Sequence, residues 1–145
     1  MHPIYHHKQI GYLLIGVLSA GMILIGILMF YTEFNPITVL VLIVLVICLY
    51  LFHSLTIEIN DQNLIFFFAH GFLKKKIAIA AIDKIATVTN RWYYGWGVRL
   101  IPNGWLYNVS GLKAVEIEMK NGKTFRIGSD EPEHVKQVLE KLKHT

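Results

Sequence analysis

One cysteine in 145 residues, Cys48, leaves no intramolecular disulfide to form and excludes the small disulfide-stapled scaffolds. Only 17% of residues are charged and only four are proline, which excludes a disordered or linker-like chain. Catalytic signatures are equally scarce. No phosphate loop, zinc-ligand spacing or dinucleotide fingerprint occurs, and Ser110 lacks the Gly-x-Ser-x-Gly setting of a nucleophile elbow. Cys48 sits in an uncharged run, where a catalytic thiolate would be costly. The residues therefore point to no enzyme, no cofactor and no metal. A net charge of +4, not gathered along one helix, also argues against nucleic acid as a partner.

Hydrophobic residues make up 54% of the chain, and they are concentrated. Ile10 to Tyr31 is a run of 22 residues without a charge. As a helix it spans roughly 33 Å, enough for a hydrocarbon core of about 30 Å. A second uncharged run goes from Pro36 to Phe52. Between them lies only a short turn, with Pro36 placed to open the second helix. The expectation is a transmembrane hairpin over 10–53, with spans 10–31 and 36–52. The first run exceeds a signal-peptide core, and the second follows at once, so an uncleaved hairpin is the better reading. Gly16 and Ala20 make the one small-xxx-small pair. Lys8 precedes the first run and the other Lys and Arg follow the second, which places both termini in the cytoplasm, the hairpin crossing the inner membrane. Residues 1–9 read as a short cytoplasmic tail. Its His2, His6 and His7 lack the ordered supporting groups that a metal site needs.

From Ser54 the pattern changes to short strands. Ser54 to Ile59 alternates with period two, and Leu64 to Phe68 and Phe72 to Ile79 follow after turn clusters. Further strands are expected around Ile82–Val88, Val98–Ile101, Trp105–Val109, Ala114–Met119 and Thr124–Ile127. Asn121-Gly122 is the clearest hairpin signal among them. The total is read as roughly seven antiparallel strands in a barrel or sandwich over 54–145. A closing helix carries Val135, Val138, Leu139 and Leu142 on one stripe, with Asp130 and Glu133 as its expected capping box.

The stretch Gly95-Trp96-Gly97-Val98-Arg99, then Pro102-Asn103-Gly104-Trp105-Leu106-Tyr107-Asn108-Val109-Ser110-Gly111, has a recognisable pattern. So do Ala114-Val115-Glu116-Ile117 and Gly122 to Pro132. With two N-terminal spans before them, these residues resemble the bacterial pleckstrin-homology (PH)-like membrane proteins over about 54–143. The resemblance implies a partly open, orthogonally packed barrel capped by the C-terminal helix. It implies no reaction, and fold analogy does not transfer function.

Two surfaces stand out as binding candidates. Lys74, Lys75 and Lys76 form the one basic run, suited either to an anionic leaflet or to the solvated edge of a sheet. Arg91, Trp92, Tyr94, Trp96 and Arg99 bring aromatic rings and guanidinium groups together in a loop-like stretch, the residue types of membrane interfaces and of protein interfaces. Trp105 and Tyr107 alternate with Leu106, so core filling is an equal reading for them. The functional expectation is a membrane-anchored binding module for the anionic membrane surface or a protein partner. The alternatives are an accessory subunit or assembly factor of a larger complex, a homo-oligomer, or an enzyme whose site carries no familiar motif.

Overall fold

Asn35 and Pro36 separate two apolar helices, α1 (Tyr12–Tyr31) and α2 (Pro36–Phe52). The computed structural model describes residues 2–145. The Asn35 side chain accepts the Ile37 backbone N–H at 2.9 Å, and Pro36 fills the first position of α2, where a missing N–H costs nothing. No residue of either helix is buried. α1, with a mean hydropathy of 2.6, is long and apolar enough to cross a membrane; α2 is as apolar but only 17 residues long. The helices pack on each other. Gly21, beside Leu45, makes this approach, whereas Gly16 faces open space, so the Gly16–Ala20 pair is not the packing point.

The segment read as an N-terminal tail is instead a strand, β1 (Tyr5–Ile10). It pairs antiparallel with β2 (Ser54–Ile59), setting Tyr5 opposite Ile59 and Gln9 opposite Leu55. Tyr5 and Gln9 are buried, because the register turns them with Leu55, Ile57 and Ile59 toward the core. α1 and α2 are thus an excursion between two neighbouring strands. The backbone N–H of Gly11 donates to the His53 carbonyl at 2.8 Å and closes the excursion.

β3 (Asn63–Phe68) and β4 (Phe72–Ala78) complete a sheet of order β1-β2-β3-β4. A second sheet contains β5 (Ile82–Thr89), β6 (Gly97–Ile101), β7 (Gly104–Asn108), β8 (Lys113–Met119) and β9 (Thr124–Gly128), in the order β5-β8-β9-β7-β6. Eight strands thus lie within 54–145, where roughly seven were expected, and β1 makes nine among the described residues. The pairing of β7 with β9 is parallel, and the two sheets do not close into a barrel. Asn121-Gly122 does turn β8 into β9, with Gly122 at φ +82°. At the tip of β6–β7, Gly104 has φ +126° and lies against the Thr124 carbonyl, where a Cβ would collide. The inner faces meet through Phe66, which stacks on Phe125 at 5.9 Å and meets Tyr107 edge-on at 4.9 Å.

α3 (Pro132–Lys143) buries Val135 and Leu139 fully, while Val138 and Leu142 pack at the margin of the core. Burial of that kind contributes about 1.5–3 kcal/mol per large aliphatic side chain. The helix lies along β5 and β8, with His134 edge-on to Tyr5 of β1 at 5.0 Å. No capping box forms. Glu131 is the residue at the N-cap, and the Asp130 carboxylate turns away to meet His7 at 2.6 Å.

Candidate functional site

β5 and β6 are opposite edges of their sheet, so the Asn90–Trp96 connection must cross the three strands between them. At about 4.8 Å per strand that is roughly 19 Å. It crosses on the face away from the core: Asn90 Oδ1 accepts a hydrogen bond from Arg126 Nη1, and Arg126 Nε meets Glu116 at 2.6 Å on that outer face. Asn90 is buried, and its backbone N–H donates to the Leu112 carbonyl at 2.6 Å, which fixes the first end. At the other end the Trp96 indole N–H donates to the Gly111 carbonyl at 3.1 Å.

Both anchors lie in the β7–β8 turn, Val109–Leu112, and this turn touches the base of the helical pair. A Cβ on Gly11, the residue before α1, would sit 3.0 Å from Val109 Cβ. Gln9 Nε2 donates to the Ser110 carbonyl at 3.1 Å. The aromatic loop is therefore rooted at the end of the domain where the helices leave.

Within the loop Trp92–Tyr94 form a single tight turn ended by Gly95 at φ +73°. Trp92 is 75% exposed and Tyr93 55%. Their rings meet edge-on at 5.9 Å, and Tyr93 meets Tyr94 edge-on at 5.2 Å. Arg91 donates to the Tyr93 hydroxyl at 2.6 Å, and this hydrogen bond raises the Arg91 pKa further. Arg99 donates from Nε to the Trp96 carbonyl, with its guanidinium beside Gly95. Arg91, Trp92 and Tyr94 thus form one cluster with Tyr93, which sequence reasoning left out. Trp96 and Arg99 form a second at the root of the loop. A cleft of about 460 Å³ runs beside the loop, from Arg91, Tyr93 and Tyr94 past Arg126 to Pro102 and Asn103 at the tip of β6–β7.

Lys74, Lys75 and Lys76 are exposed on β4, an edge of the other sheet. Lys74 lies over the Phe67 ring at 5.6 Å. Lys76 pairs with Ile65 on the outer face, and Lys75 pairs with Phe66 on the core side. The β3–β4 turn also reaches the helices. Phe52, the last residue of α2, meets Phe68 and Phe72 edge-on, and His70 stacks on Tyr50 at 5.5 Å.

Tyr107 joins the core, where burial raises its hydroxyl pKa, but Trp105 stays 48% exposed. Trp105 pairs with Leu100, itself 73% exposed, near the tip of β6–β7 and away from the helices. A further group has no motif to announce it. His7 faces Asp130 at 2.6 Å and Glu131 at 3.8 Å, His134 faces Glu131 at 3.7 Å, and Tyr5 donates to Glu131 at 3.3 Å. Burial, then the nearby Glu131 carboxylate, push the Tyr5 hydroxyl pKa far up. Tyr5 and His7 lie more than 120 positions from Glu131 and Asp130, so no spacing in the chain could pair them. Among the described residues no three His, Cys, Asp or Glu converge to hold a metal ion. No family model, curated protein or solved structure matches this chain.

Proposed function

We propose that this chain is a non-enzymatic, membrane-anchored module whose domain lies on the anionic cytoplasmic surface of the bilayer. In this reading α1 and α2 both span, both termini are cytoplasmic, and the domain is PH-like. One observation carries it: the Val109–Leu112 turn touches Gly11 and holds both ends of the aromatic loop, so the loop is rooted where α1 would enter lipid. Exposed Trp92 and Tyr93, with Arg91 beside them, are suited to the interface, where amphipathic rings sit at headgroup depth. Tyr12 and Tyr50, exposed on the two helices at the same end, match that belt.

The lysine run supports the same placement. Phe72 rests on the end of α2, and at about 3.3 Å per residue Lys74 lies no more than roughly 7 Å beyond it and Lys76 roughly 13 Å. With a screening length of about 8 Å, Lys74 feels an anionic leaflet most and Lys76 least. The test uses the full chain in nanodiscs of neutral or anionic lipid, read by amide hydrogen exchange. Slower exchange over 90–96 and 72–76 with anionic lipid, reversed by salt, supports the reading. Identical exchange in both lipids contradicts it.

A second reading, docking of a protein partner, is favoured by the exposed Leu100–Trp105 pair near the tip of β6–β7. It would make the chain an accessory subunit, and variants at that pair would then disturb assembly without altering lipid dependence.

A further inference from the structure

A cleft of about 510 Å³ lies between the β7–β8 turn and the start of α3, walled by Gln9, Thr89, Ser110, Leu112, Lys113 and Asp130, among others. It sits against the base of α1, since Gln9 is two residues before Gly11 and Gly11 touches Val109. Its polar equipment is mixed. Lys113 offers a cation and Asp130 an anion, and the backbone bond from Ser129 N–H to the Lys113 carbonyl keeps their two strand ends adjacent. His7 occupies one Asp130 oxygen, Oδ1, and leaves Oδ2 free. Gln9 is 93% buried by its 7% exposure; its amide nitrogen donates to Ser110, but its oxygen Oε1 has no partner. Such an orphaned buried acceptor is costly; sealed from solvent, it leaves Asp130 Oδ2 as the acceptor that the cleft offers. Leu112, 38% exposed, adds an apolar lip.

We propose that this cleft takes the head group of a zwitterionic phospholipid bearing a primary amine. Its ammonium donates to Asp130 Oδ2, its phosphate meets Lys113 and the Thr89 hydroxyl, and its chains pass Leu112 toward α1. The proposal rests on the reading that α1 lies in a bilayer. Charge selects the ligand. A purely anionic head group meets Asp130, and a basic peptide meets Lys113. A trimethylated ammonium has the charge but no N–H to give to Asp130 Oδ2.

The test is native mass spectrometry of the full chain released from micelles containing equal phosphatidylethanolamine and phosphatidylcholine. One retained phosphatidylethanolamine is expected, preferred about tenfold, as befits a charge-assisted hydrogen bond. Asp130→Asn removes the preference, Lys113→Gln lowers retention of both lipids because they share the phosphate, and the loop variant Trp92→Ala/Tyr93→Ala changes neither; Asp130 and Lys113 are both exposed. Equal retention of the two lipids, or a preference that survives Asp130→Asn, overturns the proposal. A second arm adds soluble glycerophosphoethanolamine to the detergent-held chain and follows the Leu112 and Lys113 amide signals. Shifts there that glycerophosphocholine does not produce uphold the site even if the membrane-surface reading fails. No shift in this arm together with no lipid preference removes the site and leaves that reading standing.

Discussion

Gly11 and Val109 are in contact: a Cβ placed on Gly11 would lie 3.0 Å from both the Val109 Cβ and its carbonyl oxygen, and 3.3 Å from the His53 carbonyl. The last residue before α1 thus carries no side chain because the β7–β8 turn occupies the space. Through this contact the second sheet is fixed against the base of the helices, although its chain connection to them runs through the first sheet.

Substitution at Gly11 should therefore loosen the junction. Gly11→Ala forces its neighbours to give by a few tenths of an ångström, and Gly11→Val cannot be fitted without moving Val109. Overpacking of this kind costs about 1–3 kcal/mol, and the larger side chain should cost more. Thermal unfolding of the detergent-held chain measures it, with protease sensitivity of the Val109–Leu112 turn as the local readout. Unchanged melting of Gly11→Val would mean the contact is slack.

The Arg126–Glu116 pair lies on the outer face beneath the aromatic loop, with both side chains largely buried and Asn90 hydrogen-bonded to the arginine. Arg126→Gln leaves a poorly solvated carboxylate and should destabilise the domain by about 2–3 kcal/mol. Arg126→Gln combined with Glu116→Gln should recover much of that loss. Denaturant unfolding of the three variants gives the coupling energy directly.

Alkaline stability should depend on Tyr5. Its hydroxyl pKa is raised by burial and by the Glu131 carboxylate, so the native state holds a proton that the unfolded chain releases near the ordinary phenol value of about 10. The stabilisation is complete below that pH and falls as pH rises beyond it. Tyr107, shifted the same way by burial, adds to the slope. Tyr5→Phe should flatten the decline in stability between about pH 10 and 11. A slope equal to that of the parent chain would show that Tyr5 ionises freely in the native state.

Periodicity made much of this architecture legible. The uncharged runs became α1 and α2, the alternation of Ala114 to Met119 became β8, and the stripe of Val135, Val138, Leu139 and Leu142 became the docking face of α3. β1 escaped because its core-facing positions are Tyr5, His7 and Gln9, of which two are polar, and because its partner strand lies beyond both helices. The capping box failed for a related reason. Asp130 has a competing partner, His7, which local spacing cannot reveal. In the aromatic loop, residue types were readable but not placement. That Asn90 and Trp96 are both tied to the Val109–Leu112 turn is a product of the β5-β8-β9-β7-β6 order. Residues 54–145 alone would lack β1, an edge of the first sheet.

Loop variants should separate stability from membrane contact. Trp92 and Tyr93 are exposed and contribute little to the core, so Trp92→Ala/Tyr93→Ala should leave the melting temperature within about 1–2 °C. The same variant should lose the dependence of loop exchange on anionic lipid. A large fall in melting temperature would instead make the loop a structural strap over the outer face.

The depth of Trp92 in a bilayer tests the central claim most directly. The full chain is placed in bilayers containing lipids brominated near the head group, and quenching is compared with that of Trp92→Phe, with exposed Trp105 in both as the reference for an indole away from the helices. The account predicts that Trp92 supplies a blue-shifted, bromine-quenched component that disappears in the variant. Water-like emission from Trp92, unquenched by the brominated lipid, would contradict it.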